Sequence, residues 1–334
     1  DDYLWLPYLV CKYVQITGDR SILDEVAGFI EGQQLEPGQM ESYTVPHVSN
    51  HSASIYEHCI IALDRALQFG PHGLPLIGCG DWNDGMNEVG VGGKGESVWL
   101  GWFIYDILLK FVDIVAERND SYRASDYRQA AQAVREAIER NAWDGKWYIR
   151  AYFDHGAPLG SISNEECKID SLSQSWGVIS GAADPERVKG AMEHVYDELV
   201  DKQYRLIRLL TPPFDKGVLK PGYIAGYLPG VRENGGQYTH AAVWVIIATA
   251  MLGHGAKAFE LFDMINPVNH TSTPDRMARY RGEPYVTCGD VYSAHPYAGR
   301  AGWSWYSGSA SWLYIAGIEH ILGLRVEGER FTLD

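Results

Sequence analysis

Residues 98–116 read VWLGWFIYDILLKFVDIVA, a run of helical length that is apolar nearly all the way round. A helix of that kind is buried on more than one side. The same period recurs at 4–14, 52–67, 124–142, 172–179, 185–200, 239–252, 256–265 and 309–322, with Gly or Asp-Gly punctuation between several of them. The first of these ends at Thr17-Gly18-Asp19, and Ser21-Ile22-Leu23 reads as the opening of another helix. Two segments read as β-hairpins instead: Asp144-Gly145 followed by 147–153, and the C-terminal 324–331. The connections are uneven. Residues 253–255 make a short turn, whereas 71–97, 144–171, 211–238 and 280–308 are long and rich in Gly, Pro and aromatic residues. Long loops of this sort in a compact domain usually carry function. Inner helices with functional loops at one rim describe an all-α toroid. The helical domain is expected over 1–323, with 324–334 as a short β extension; neither an exact repeat nor a domain linker is visible.

The composition agrees with a large folded domain. Hydrophobic residues make up 46% of the 334, enough for a sizeable core. Mean hydropathy is -0.21, and no run of about 20 apolar residues is present, so no membrane span is expected. A net charge of -15 repels nucleic acid and anionic membrane surfaces. The five cysteines are scattered without CxxC spacing, which suits reduced thiols in a cytoplasmic setting and offers no zinc-ligand set. The start, Asp1-Asp2-Tyr3-Leu4-Trp5, has no basic leader and reads as mid-helix, so a piece of a longer chain is expected. Eleven Trp and 21 Tyr suit the faces and hydroxyls of sugars, although large helical cores use them too.

Three clusters in the long loops carry chemistry. In Gly78-Cys79-Gly80-Asp81-Trp82-Asn83-Asp84-Gly85-Met86-Asn87, two carboxylates, an amide and an indole lie between glycines that permit close backbone approach. Trp82 can stack on a sugar while a neighbouring carboxyl reaches a glycosidic oxygen; an Asx-rich turn with a buried Trp is the alternative. In Arg232–His240, RENGGQYTH, the histidine falls in the first turn of an apolar helix, where an anion is favoured. A capped helix with a packed histidine fits the same pattern. In residues 303–312, WSWYSGSASW, a glycine among small hydroxyls opens a helix, so backbone N–H groups and Ser307 can hold an oxyanion, or Ser can merely cap. Tyr56-Glu57-His58 reads better as a satisfied polar group on a helix. Residues 164–170 with Gln174-Ser175-Trp176 read either as a sugar subsite or as a solvated charged loop. Glu283, Tyr285 and Asp290 lie in a loop facing substrate or solvent. Lys94-Gly95-Glu96-Ser97 lacks the spacing of a phosphate loop.

Taken together and in this order, GDWNDGMN, RENGGQYTH, EPYV and WYSGSASW resemble the cellobiose and chitobiose phosphorylase family of inverting glycoside phosphorylases. The segments DDYLWLPYLV, SIYEHC, GKGESVWLGWF, LTPPFD, GYLPGVRENGGQYTHAAVW and ELFDMINPVNH are most similar to the phosphorylase-like C-terminal region of cyclic β-1,2-glucan synthases, so the resemblance spans essentially the whole chain. It implies an (α/α)6 barrel with long rim loops, and phosphorolysis of a β-glucan with inversion to α-glucose 1-phosphate. By motif, Asp84 is the general acid; Trp82, Asp81, Arg232, Glu233 and Asp290 bind sugar; and His240, Ser307 and Gly308 hold phosphate. Where Ser307 stands the family often has Thr, which keeps the hydroxyl. No metal or organic cofactor is implied, only inorganic phosphate as co-substrate. The implied partners are a β-glucan oligosaccharide and the preceding region of the same polypeptide, with room for a homodimer. The implied location is cytoplasmic, within a larger membrane-bound synthase.

An inverting hydrolase needs one carboxyl as acid and a second as base. Phosphate is already an anionic nucleophile, so a phosphorylase needs only the acid and replaces the base with an N–H-rich cradle. The acid must start protonated, so Asp84 is expected to be raised by burial, with help from Asp81. Two departures from the family pattern bear on this. An arginine-bearing motif that precedes DDYLWL in the family lies outside this chain. EPYV is followed by Thr287-Cys288-Gly289-Asp290 rather than by a glutamine-bearing stretch, which favours β-1,2-glucan over cellobiose. Two other readings stay open: an inverting hydrolase with Glu233 or Asp290 as base, and a non-catalytic module that binds glucan and sets product length.

Overall fold

The computed structural model describes residues 1–33, 36, 39, 42–305 and 307–333, Ser307 by its backbone alone. The helical pattern is realised at Asp2–Thr17, Ile55–Ala66, Val98–Glu117, Ser121–Asn141, Ser171–Ile179, Pro185–Leu199, Thr239–Met251, Gly255–Ile265 and Ser307–Ile315, the last continued by a π-helical turn at Ala316–Ile321. Their ends follow from the sequence. Ser54 and Glu57 form a reciprocal capping box, Asp170 and Asp184 cap their helices through side-chain oxygens, and Gly18 closes the first helix at φ 70. Two short helices, Pro267–His270 and Pro274–Tyr280, were not expected, yet each has Pro at its start behind an Asn266 or Thr273 cap. The sheets have two or three strands each. This is the all-α class, with small β-hairpins, that the helical period demands. Among the described residues, no helix is long and apolar enough to cross a membrane.

Two local expectations are corrected. Ser21-Ile22-Leu23 opens only a single 3-10 turn, Ser21–Asp24, because Asp19 turns its carboxylate onto the Ser21 N–H and hydroxyl. The chain then forms the strand Val26–Glu31, antiparallel to His47–Ser54. The second concerns the hairpin arm at Asp144-Gly145 and 147–153, of which only the end, Ala151–Tyr152, enters a ladder. Asp144 instead accepts from the N–H groups of Lys146, Trp147 and Ile162, and only an isolated bridge joins Trp143 to Tyr148. The ladder lies further on, where Ala151–Tyr152 pairs with Pro158–Leu159 on one side and Glu96–Ser97 on the other. The C-terminal hairpin forms as read, Leu324–Glu327 against Arg330–Leu333.

The chain divides into two compact units. The first takes Asp1–Gln68, Ile107–Arg128 and Val326–Phe331. In it the helices Asp2–Thr17 and Ile55–Ala66 pack together, Arg118 pairs with Asp24 at 2.7 Å, and Tyr127 donates to Asp64 at 2.8 Å. Tyr56-Glu57-His58 also belongs here and is structural: Tyr56 stacks on Phe111, Glu57 closes the capping box, and His58 lies 3.0 Å from the Ala27 carbonyl.

The second unit takes Phe69–Asp106, Gln129–Arg325 and Thr332–Asp334. Its centre is the helix Thr239–Met251, apolar all round and packed against Ser171–Ile179 and Ser307–Ile315. Trp99, Trp176 and Trp244 are fully buried there with ring centroids 5.2–6.2 Å apart. Much of the tryptophan that suggested sugar binding is therefore core. The long loops are not structureless. Ile77, Met86, Val89, Phe153, Leu159, Leu210, Phe214 and Ile224 bury a core of their own beneath them, which fixes the loops that carry the clusters.

Candidate functional site

The site lies wholly in the second unit and begins at the loop 78–87. Gly78 and Gly80 take φ of 57 and 130, where a side chain is disfavoured. Asp81 Oδ1 accepts from the Asn83 N–H at 3.0 Å, and Asn83 Oδ1 from the Gly85 N–H at 3.1 Å. These successive Asx turns lead into a single 3-10 turn, Asp84–Met86. Gly85 lies so close to Ile224 that a Cβ there would come within 2.8 Å of it. Asn87 accepts from the Tyr223 N–H at 3.0 Å, tying the loop to its neighbour.

The two carboxylates of this loop face opposite ways. Asp81 is 1% exposed and is bound by both terminal nitrogens of Arg150, at 2.6 and 2.7 Å, and by the Ser97 hydroxyl at 2.6 Å. Burial opposes its ionisation, but the Arg150 charge and these hydrogen bonds outweigh that and hold it below the usual Asp range. Asp81 is thus a buried ion-pair partner with no face toward substrate, which corrects its expected place in sugar binding. Asp84 is exposed, not buried as expected. Its charge is felt by Tyr223, Tyr227 and Glu233. Burial first, then that charge, push the Tyr223 phenol up to about 12.

Trp82 and His240 meet. The indole N–H donates to His240 Nδ1 at 3.3 Å, and both rings pack on Trp244. With Nδ1 an acceptor, the neutral imidazole carries its proton on Nε2, and Nε2 is buried with no hydrogen-bond partner. Burial pushes this histidine down to about 3, so it is a neutral donor at ordinary pH. Gly308, at the start of the helix Ser307–Ile315, lies beside the ring; a Cβ there would stand 3.5 Å from Nδ1. The expected cradle of His240 and Gly308 is therefore brought together, while the Ser307 side chain lies outside the described residues.

Arg232, Glu233 and Asp290 also converge. The strand Gln237–Tyr238 pairs with Asp290–Val291. Arg232, at φ 52, donates its backbone N–H to Asp290 Oδ2 at 3.0 Å. Its guanidinium lies between the rings of Tyr227 and Trp303, 4.8 and 4.5 Å from their centroids. Arg232 Nε and Glu233 Oε2 form an ion pair at 3.4 Å, and both atoms are buried without a hydrogen bond. Burial raises Glu233, aided by the charges of Asp290 and Asp84 and opposed by Arg232. Burial likewise raises Asp290, which is 2% exposed.

The remaining clusters brace the loops. Asp170 caps Ser171–Ile179 and lies 3.6 Å from Arg150 Nε. Gln174 bridges Tyr148 and the Asp170 carbonyl, and Glu166 accepts three backbone N–H groups from 215–217. The buried stretch 169–176 thus braces the loops, while Glu165 and Lys168 are exposed, as a solvated charged loop would have them. The loop that mimics a phosphate binder wraps a carboxylate of its own: Gly92, Lys94 and Gly95 all donate to Asp154 at 2.6–2.8 Å. Sequence reasoning missed Arg150, Tyr223 and Tyr227. Only Arg150 had a signal, a lone charge in the apolar run 147–153, which has to be paired when buried.

Residues 1–323 match the family model described as the glycosyl hydrolase 94 superfamily, catalytic domain. The chain is 48% identical over its full 334 residues to the cyclic beta-(1,2)-glucan synthase NdvB of Rhizobium meliloti (strain 1021), of which it spans 12%. It is 32% identical over 326 residues, 97% of its length, to the solabiose phosphorylase of Paenibacillus borealis, of which it spans 40%. A solved structure titled "Glycosidase Wild Type" shares the fold at a TM-score of 0.53, with 13% identity over 80% of this chain and 60% of that one. The chain belongs to the glycosyl hydrolase 94 superfamily, whose (α/α)6 barrel is the fold class read from its sequence.

Proposed function

We propose that this chain, as the catalytic domain of a glycosyl hydrolase 94 member, is an inverting phosphorylase module for a β-glucan, with Asp84 as its general acid. The observation that carries the reading is His240. Its Nδ1 is engaged by Trp82 and faces Gly308 at a helix start, and its Nε2 donor is buried and unpartnered. A neutral donor with the N–H groups of a helix N-terminus is a cradle for an anion. Phosphate held there attacks the anomeric carbon from the face opposite the glycosidic oxygen. Asp84, the exposed carboxyl of its loop, gives that oxygen its proton as the C–O bond breaks. One C–O bond forms to phosphate and one breaks, so the product is a sugar 1-phosphate of inverted configuration. Arg232 and Glu233 are assigned to hydroxyls of the sugar beside Asp84, and Trp82 to the wall of its pocket.

The hydrolase alternative asks Glu233 or Asp290 to act as base. Asp290 is buried with its Oδ2 taken by the Arg232 N–H, which argues against it as the base. The module spans 12% and 40% of the two relatives above, so the whole protein's activity, cytoplasmic placement and reliance on further polypeptide are part of the proposal. The chain is taken to need no organic cofactor. Sugar 1-phosphate release from linear β-1,2-glucan and from cellobiose, with and without phosphate, tests the reading. We expect phosphate-dependent release that Asp84→Asn lowers roughly a thousandfold or more. Release of free sugar without phosphate selects a hydrolase, and binding without turnover selects the non-catalytic module.

A further inference from the structure

The second unit carries rings that its core does not use. Tyr285 and Trp305 are 74% and 72% exposed, and Trp303 is 48% exposed. The Tyr285 and Trp305 rings meet edge to face, with centroids 6.4 Å apart. Neither is a loose surface residue. Trp305 sits at φ 64, a left-handed conformation unusual for a bulky residue, which costs about 1–3 kcal/mol and persists only where its surroundings impose it. Glu283 accepts hydrogen bonds from the side chains of Ser304 and Trp305, joining the loop of Tyr285 to that of the tryptophans.

This group runs on from the site. Trp303 stacks on Arg232, which faces Glu233, and the Gly289 N–H donates to the Trp303 carbonyl at 2.8 Å, one residue before Asp290. The rings therefore extend outward from the position assigned to the sugar beside Asp84. Left in water, each forgoes the burial that makes aromatic side chains the strongest apolar contributors, while their flat faces and polar edges match a hexose ring.

We propose that Tyr285 and Trp305 form a distal platform for glucose units beyond the two that flank the scissile bond, so that a glucan of three or more sugars, and not a disaccharide, is the preferred substrate. This rests on the phosphorylase reading of the Asp84 site. The occupant is a neutral chain of hexoses, because the platform offers ring faces and one carboxylate, with no cationic side chain among its members to select an anion.

The test uses the double variant Tyr285→Ala/Trp305→Ala and the milder Trp305→Phe. Binding of long linear β-1,2-glucan and of its disaccharide is measured by calorimetry, together with kcat/KM for phosphate-dependent release from each. We expect the double variant to bind the long glucan roughly tenfold more weakly or worse and to lose kcat/KM on it in proportion. Values for the disaccharide should change by less than about twofold, and Trp305→Phe should retain most of the long-chain affinity. An equal loss on both substrates, or unchanged affinity for the long glucan, overturns the platform. Ring-dependent binding of long glucan without any sugar phosphate release leaves the platform standing and sinks the phosphorylase reading, so the two failures are distinguishable.

Discussion

Asp81 and Asp84 lie three residues apart in one loop and meet opposite environments. Asp81 gives all its acceptor capacity to Arg150, Ser97 and the Asn83 N–H, while Asp84 is turned outward by the single 3-10 turn that follows. Between them, Trp82 donates the N–H that decides which nitrogen of His240 holds the proton. Trp82→Phe removes that donor. We expect the KM for phosphate to rise about tenfold with a smaller change in kcat, read from initial rates over a phosphate titration. Spectra of 15N-labelled histidine should show His240 neutral with its proton on Nε2 down to about pH 4, since burial pushes it to about 3. In Trp82→Phe the tautomers should mix.

The decisive element is the short three-stranded sheet that carries Arg150. Val98 donates its N–H to the Arg150 carbonyl and Arg150 its N–H to the Leu159 carbonyl, so the strand fixes the guanidinium beneath loop 78–87. A Cβ on Gly160 would come within 2.6 Å of Arg150 Cβ, which explains a glycine at φ 80 in that position. Arg150→Met keeps much of the volume but leaves Asp81 and Asp170 buried without a cation. We expect a loss of about 3–5 kcal/mol in urea unfolding and disordering of loop 78–87. Recovery of most of that stability in the double variant Arg150→Met/Asp81→Asn would attribute the loss to the unpaired charge; a loss below about 1 kcal/mol in the single variant would mean that the triad does not support the loop.

At the scale of the molecule, the same triad links stability to pH. Burial pushes Asp170 up to about 6, because Arg150 is already neutralised by Asp81 and can compensate only part of a second charge. Between the ordinary Asp range and about 6 the folded state holds a proton there that the unfolded chain has lost, so stability falls as pH rises through that window. Asp81, held low, acts the other way and only below it, where stability falls as pH drops. Asp170→Asn keeps the acceptor that caps Ser171–Ile179 but cannot ionise. We expect it to gain on the native protein by about 3 kcal/mol between pH 4 and pH 7, followed by thermal unfolding at each pH. A gap that stays constant with pH would refute the assignment.

Much of this was legible in the chain alone. The helices of 98–116 and 239–252 are apolar nearly all the way round, which marks burial on more than one side. Glycine-framed Asp-Trp-Asn-Asp and the histidine opening an apolar helix each allowed a structural reading as well, and only their occurrence together and in order, in loops too long to be mere connections, pointed to a site. What the sequence could not decide was direction. Two aspartates in one loop read alike until Arg150, 66 positions beyond Asp84 in the chain, takes one of them and leaves the other outward. The tautomer of His240, the cation–π sandwich of Arg232 and the occupation of the glycine-rich turn by Asp154 are likewise pairings between distant segments. Local sequence sets helix period, caps and turns because those interactions span a few residues. Which buried charge finds a partner, and which carboxylate stays exposed, depends on contacts that exist only once the loops are folded over their own core.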